Sequence, residues 1–351
     1  MMEAIRTLYR GDNSWDFVSV SRKVLISSAV LVVLCVASFF VRGLNLGIEF
    51  DGGAVWEVPA TADVSEDDIS AVMSSEGVDD TRVQTISGGE DIFRVRAEVS
   101  DVSDRESIAG ALAAEAGVSI DEVSTRNVSP SFGDEVADKA RRALVVFLVL
   151  IALYLTLRFE WRMALGALVA VGHDIAISVG VYSVFQIEIT PATVVAFLTI
   201  MGYSLYDTIV VFDRIRENQR ALSTRSRVTY EDLANVSLNQ ILMRSINTSI
   251  TSVMPVLSML VVGSLILGAT SLQEFAIALL IGIVFGSYSS LFVATPLVVW
   301  MKSQQAHWQE QAMAAEKART SGSVVEAESK LAADHYTRTA APRPRKMGKR
   351  R

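Results

Sequence analysis

The chain has 351 residues, a mean hydropathy of +0.35 and a formal net charge of −7. Its single cysteine, Cys35, excludes an intramolecular disulfide, and the three histidines, His173, His307 and His335, stand too far apart in sequence to form a zinc-type cluster. No metal and no cofactor is expected, and half of the residues are hydrophobic, so the distribution of apolar residues carries the argument.

Apolar runs of about 20 residues can cross a bilayer core of about 30 Å. Residues 1–23 form an N-terminal segment that ends in Arg22 and Lys23. The run 24–41 follows, with no obvious small-residue cleavage site after it, and is expected to be an uncleaved first span. Residues 42–140 carry 22 acidic and 7 basic side chains. Five further spans are expected at 141–158, 162–183, 189–213, 241–267 and 272–300. A loop at 214–240 separates the fourth and fifth spans, and a polar, then basic, tail occupies 301–351.

The basic residues gather at the N-terminus (Arg6, Arg10, Arg22, Lys23), at Arg158 to Arg162, in the loop from Arg214 to Arg227, and in the tail from Arg343 to Arg351. The positive-inside rule puts these segments in the cytoplasm. Six spans then leave both termini there, and the acidic segment 42–140 faces outward. That segment alternates in strand fashion at Val55–Val58, Thr81–Ile86 and Ile92–Val99, with Gly88-Gly89 between the last two. Helices are expected over 65–75 and from Ser103, where Glu106 offers a capping box. A last strand falls near 122–128. The order is βαββαβ, the split-βαβ pattern of ferredoxin-like domains. The fold class expected is therefore a polytopic α-helical membrane protein with a ferredoxin-like α+β domain between the first and second of six helices.

Ionisable groups inside spans point to chemistry, because an Asp at a helix centre costs about 2.5–3.5 kcal/mol on insertion scales. Asp207 lies two turns from the inner end of span four, about 10 Å deep. Tyr203, Asp207 and Arg214 share one face by i, i+4, i+7 spacing. Such a carboxylate suits an ion path; the plainer reading is a snorkelling or capping group. Asp174, beside His173 near the middle of span three, is either a second site or a satisfied contact between helices. Arg244, one turn into span five, is either an inside-positive anchor or a partner for Asp207. That opposite charge would favour the ionised carboxylate while desolvation opposes it. Asp213 suits an interfacial salt bridge, and Glu274 the outer interface. Gly166, Gly172, Gly180 and Gly202 suit close helix packing. An intramembrane aspartyl protease would need a Gly-x-Gly-Asp motif, but His173 precedes Asp174, so no enzyme is expected.

At these residues the sequence resembles a family. Gly47-Ile48-Glu49-Phe50-Asp51-Gly52-Gly53 is similar to the signature that follows the first span of SecF, in the SecD/SecF family. The stretch Gly202 to Asn218 resembles its fourth span, His173-Asp174 its third, Asn239 to Thr251 the start of its fifth, and Val128 to Gly133 the approach to its second. Tyr206 departs from the family, where Asn is common. The resemblance covers about residues 15–303. It implies half of a twelve-span unit related to proton-driven RND exporters, completed by SecD, in the bacterial plasma membrane. It also implies use of the proton-motive force to assist export of a preprotein through the SecYEG channel, with YajC and SecA as further candidate partners and membrane lipids around it. Carried over by motif, Asp207 and Arg244 would form the proton relay, supported by Asp174 and His173. Tyr203, Asp213 and Asn247 would be supporting polar groups, and Gly47, Asp51, Gly52 and Gly53 the family signature. The competing expectation is a scaffold of the translocon that conducts no protons.

Overall fold

The computed structural model describes residues 15–61, 64–78, 81–86, 91–99, 101–221, 228–266 and 269–320. The expected turn at Gly88-Gly89, the N-terminal arginines Arg6 and Arg10, residues 222–227 of the basic loop and the basic tail lie outside these described residues.

In chain order the elements begin with α1 (Phe17–Arg42), β1 (Asn45–Leu46), α2 (Ile48–Asp51), β2 (Gly53–Pro59), α3 (Glu66–Ser75), β3 (Thr81–Ile86) and β4 (Ile92–Ala97). They continue with α4 (Val102–Ala116), β5 (Ser124–Val128), α5 (Pro130–Arg158), α6 (Trp161–Phe185), β6 (Glu188–Ile189) and α7 (Pro191–Ala221). Then come α8 (Tyr230–Ser258) with a π-helical turn over Met259–Ile266, α9 (Thr270–Ser289) with a second such turn over Ser290–Ala294, α10 (Thr295–Ser303) and α11 (Ala306–Thr320).

Among the described residues six stretches are long and apolar enough to cross a membrane: α1, α5, α6, α7, α8 with its π turn, and α9 through α10. Local chemistry sets their starts. Asp16 accepts the Ser19 backbone N–H at 3.1 Å before α1, Pro130 occupies the first turn of α5, and Thr229 with Asp232 forms a capping box before α8. Pro255 removes a backbone donor from α8 and crowds the preceding turn, and the wider π turn follows just beyond it.

Helices α6, α7 and α9 are the half-buried inner members of the bundle, whereas α1, α5 and α8 leave most of their apolar surface open. Helices α1 and α6 run side by side in parallel, since Ser28–His173 and Ser38–Ser183 keep the same separation of 145 residues. The buried Cys35 packs on Gly180 in that seam, where a Cβ would sit 2.1 Å from the Cys35 Cβ. Gly166 packs likewise on Val298. Gly172 and Gly202 make no close helix contact among the described residues, since a Cβ on either would meet nothing within 4 Å.

Between α1 and α5 stands an α+β domain. Its four strands pair antiparallel in the order β3-β4-β2-β5. Strand alternation divides the sheet into two faces. Phe93, Val95 and Ala97 of β4 join Trp56, Val58, Ile69, Met73 and Leu112 in the domain core. Arg94 and Arg96 therefore project from the other face, and register sets Glu57 opposite Arg94.

That second face meets the bundle. Arg94, only 8% exposed, contacts Glu57 at 3.1 Å, Glu188 in the α6–α7 connection at 3.3 Å and Glu274 on α9 at 3.0 Å. Arg96 reaches Glu188 at 3.6 Å and Asn45 at 3.1 Å. Beneath them β1 pairs parallel with β6, Asn45 against Glu188 and Leu46 against Ile189. Burial pushes the Glu188 carboxyl above the usual glutamate range, against the pull of Arg94 and Arg96. Burial also opposes the charge on Arg94, but the glutamates around it together hold it above its ordinary value.

Arg94→Ala would remove the cation that Glu57, Glu188 and Glu274 share, leaving Arg126 on Glu57 and Arg96 on Glu188 but no arginine on Glu274 among the described residues. Breaking a buried pair in this way costs about 3–5 kcal/mol. The expected result is faster amide hydrogen exchange at 45–46 and 188–189, after correction for intrinsic rates. A raised carboxyl pKa contributes to docking fully below the ordinary glutamate value and loses that contribution as pH rises through the raised value. Acidification through that window should therefore restore part of the protection in the variant.

Candidate functional site: two carboxylates inside the bundle

Two aspartates lie buried among the inner helices, Asp174 on α6 at 3% exposure and Asp207 on α7 at 7%. A buried carboxylate needs pairing or hydrogen bonding to offset its desolvation. Serine hydroxyls supply most of this here. Asp174 Oδ2 accepts from Ser204 Oγ at 2.6 Å and from Ser289 Oγ at 2.8 Å. Asp207 Oδ2 accepts from Ser245 Oγ at 2.6 Å and from Ser290 Oγ at 3.0 Å. Among the described residues nothing donates to Asp207 Oδ1, and no cation lies within ion-pair distance of this carboxylate.

His173 extends the Asp174 end of the network. Its Nδ1 is 3.0 Å from Asp174 Oδ1 and its Nε2 is 2.5 Å from Ser28 Oγ. A neutral ring with its proton on Nδ1 donates to the aspartate and accepts from the serine. Five helices thus contribute: α1 through Ser28, α6 through His173 and Asp174, α7 through Ser204 and Asp207, α8 through Ser245, and α9 through Ser289 and Ser290.

The structure does not bring Arg244 onto Asp207. Ser245, its neighbour on α8, takes that position, and successive helical residues point about 100° apart. Arg244 faces outward and donates from Nη2 to the Tyr206 hydroxyl at 3.1 Å. Tyr206 is itself 51% exposed, so the residue that departs from the family holds the arginine. Asn247 is exposed on the same side of α8. Tyr203 donates to the Thr248 carbonyl at 3.0 Å and accepts from Ser252 at 2.7 Å, tying α7 to α8. Arg214 engages Gln240 and Glu217, each at 2.7 Å, and no contact joins it to Asp207. Asp213 pairs with Arg158 at 3.0 Å near the far end of the bundle.

The signature glycines do backbone work. Gly52 and Gly53 have φ of 80° and 109°, a region that side chains disfavour. A Cβ on Gly53 would also lie 2.8 Å from the Ala97 carbonyl oxygen. Together they turn the chain from the one-turn helix α2, which carries the exposed Asp51, into β2. Gly47 sits against Glu49 and the Ile189 carbonyl. Sequence reasoning missed Ser28, Ser204, Ser245, Ser289 and Ser290. The available signal was polar residues inside apolar spans, with Ser289 and Ser290 adjacent in the sixth.

With this geometry in view, two family models match. That of the protein export membrane protein SecD/SecF, C-terminal, covers residues 108–304, and that of the SecD/SecF GG motif covers residues 37–64. The chain belongs to the SecF branch of the SecD/SecF family. The protein translocase subunit SecF of Streptomyces coelicolor is 40% identical over 299 residues, 85% of this chain and 79% of the relative. That of Mycobacterium tuberculosis is 37% identical, covering 90% of this chain and 73% of the relative. The crystal structure of SecDF, a translocon-associated membrane protein from Thermus thermophilus, superposes with a TM-score of 0.74 at 33% identity. It covers 84% of this chain, which spans only 39% of the SecDF chain. A multi-pass membrane protein of the SecF branch, with six spans and one α+β domain, is thus the class established here.

The GG motif yields a stability test. Gly53→Ala should destabilise the chain by about 1–3 kcal/mol through strain and overpacking, read as a lower unfolding midpoint of the detergent-solubilised protein.

Proposed function

We propose that this chain works with SecD as a proton-motive-force-coupled subunit of the Sec protein translocase, assisting export through SecYEG. The single observation that carries the coupling is Asp207: a carboxylate inside a membrane span, held on one oxygen by two serine hydroxyls, with no cation on it and the other oxygen free of donors among the described residues. Such a group can take up a proton without breaking an ion pair. One charge moved through 100 mV is worth about 2.3 kcal/mol, enough to bias a conformational equilibrium by about 50-fold.

Asp174 and His173 support Asp207 in this reading, as a second carboxylate and its imidazole. Arg244 acts from the adjacent position on α8, which would bring it toward Asp207 if that helix turned. A twelve-span assembly fits the exposed surface. Tyr206 on α7 and Arg244 and Asn247 on α8 are open in the isolated chain. Lipid tails cannot satisfy such groups, whereas a second set of helices can. The relatives that join SecD and SecF in one chain support SecD as the owner of those helices. The charge distribution supports cytoplasmic termini and an outward α+β domain. The βαββαβ order and β3-β4-β2-β5 sheet support its ferredoxin-like reading. SecYEG, YajC and SecA as partners, the preprotein as substrate and the bacterial plasma membrane as location rest on the family alone.

The test is Asp207→Asn in vesicles containing SecD and the channel. The variant should assemble normally and lose the uncoupler-sensitive part of export stimulation. Full stimulation by an assembled variant would make the chain a scaffold and sink the coupling.

A further inference from the structure

Ser289 and Ser290 are neighbours in sequence but serve different carboxylates on different helices. Helix α9 lies against both α6 and α7, and the 100° step between successive residues lets one hydroxyl reach each. Close packing fixes this arrangement. A Cβ on Gly282 would lie 2.2 Å from the Ile200 side chain, and one on Gly286 would lie 2.7 Å from the Ser204 Cβ. Gly286 thereby makes room for Ser204, the hydroxyl that shares Asp174 Oδ2 with Ser289.

Each serine also has a second acceptor. Ser289 Oγ is 2.8 Å from Asp174 Oδ2 and 3.1 Å from the Gly286 carbonyl oxygen. Ser290 Oγ is 3.0 Å from Asp207 Oδ2 and 3.1 Å from the Ser287 carbonyl oxygen. A hydroxyl has one proton and cannot fully satisfy both acceptors. When the aspartate is ionised, the serine donates to it. When Oδ2 carries the proton, its single O–H donates to one of the two serines on it, and where that serine is Ser289 or Ser290 its own proton turns to the helix carbonyl. The helix changes character at this point, because the π-helical turn Ser290–Ala294 begins there, and Thr295 Oγ1 donates to the Ser290 carbonyl at 2.9 Å. Single π turns gather at functional sites.

We propose that Ser289 and Ser290 are positioning residues that report the protonation of Asp174 and Asp207 to the π turn of α9, coupling the two carboxylates through one helix. This rests on the reading of Asp207 as a proton carrier. Of the titratable or charged groups on the packed helices, His173 on α6 bonds Asp174, Tyr288 on α9 lies against the His173 ring, Tyr203 on α7 bonds α8, and Tyr206 on α7 and Arg244 on α8 pair with each other, while Asp213 and Arg214 on α7 and Glu274 on α9 are engaged elsewhere. Arg158 of α5 is occupied by Asp213, and α1 contributes the neutral Ser28.

The test compares Ser289→Ala/Ser290→Ala, Ser289→Thr/Ser290→Thr and Asp207→Asn, each as the full chain purified and reconstituted with SecD and the channel. The alanine pair should assemble yet lose about 2- to 30-fold of the proton-driven stimulation. The threonine pair, which keeps both hydroxyls, should retain most of it. Isotope-edited infrared spectra should show Asp207→Asn perturbing the Asp174 carboxyl band in the parent but not in the alanine background. Amide exchange at 290–294, corrected for intrinsic rates, should respond to acidification in the parent and not in the alanine pair. If Asp207→Asn is inactive while the alanine pair is fully active with an unchanged exchange response, Asp207 keeps its role and the serine coupling is refuted. If Asp207→Asn is fully active, the proton-carrier reading fails and the coupling falls with it.

Discussion

A carboxylate among membrane helices must be neutralised, paired with a cation or hydrogen-bonded, and Asp207 meets the third condition. Its two donors come from α8 and α9 while it stands on α7. The helices around it must therefore hold their rotation to within the reach of a hydroxyl. The inner packing serves that demand: Gly282 and Gly286 bring α9 onto α7, and Cys35 on Gly180 seats α1 so that Ser28 meets His173. A hydroxyl network is also cheaper to rearrange than an ion pair, because a serine can turn between acceptors without leaving a charge unpaired.

The opposite end of the molecule uses the other solution. Where the α+β domain meets the bundle, Arg94 gathers glutamates from its own sheet, from the α6–α7 connection and from α9. This contact is electrostatic and specific, and it ends on α9, the helix whose Ser289 and Ser290 touch the two aspartates. One helix thus joins the domain contact at Glu274 to the buried carboxylates. A change in the bundle that shifts α9 has a direct physical route to the domain.

Much of this was legible in the sequence because it is one-dimensional. Apolar runs of bilayer length marked six helices, and alternation over Ile92–Val99 marked β4. Asp174, His173 and Asp207 stood out because charge in an apolar span is costly. What could not be read was the pairing between helices. Spacing placed Arg214 on the face of Asp207, but its partners are Gln240 and Glu217. Arg244 and Ser245 are adjacent, and only the rotation of α8 decides which one meets Asp207. Serines gave little signal alone, since an uncharged hydroxyl in a span can bond its own helix carbonyl. Sequence reasoning did not single out Glu188 or Arg94, because their partners are set only where the domain meets the bundle.

The most direct measurement of the central claim is time-resolved infrared difference spectroscopy on vesicles holding the chain with SecD, recorded as a proton gradient is imposed. A protonated-carboxyl band should rise and fall with the gradient and disappear when Asp207 is replaced by Asn. A gradient that drives export while leaving every aspartate band unchanged would contradict proton uptake by Asp207.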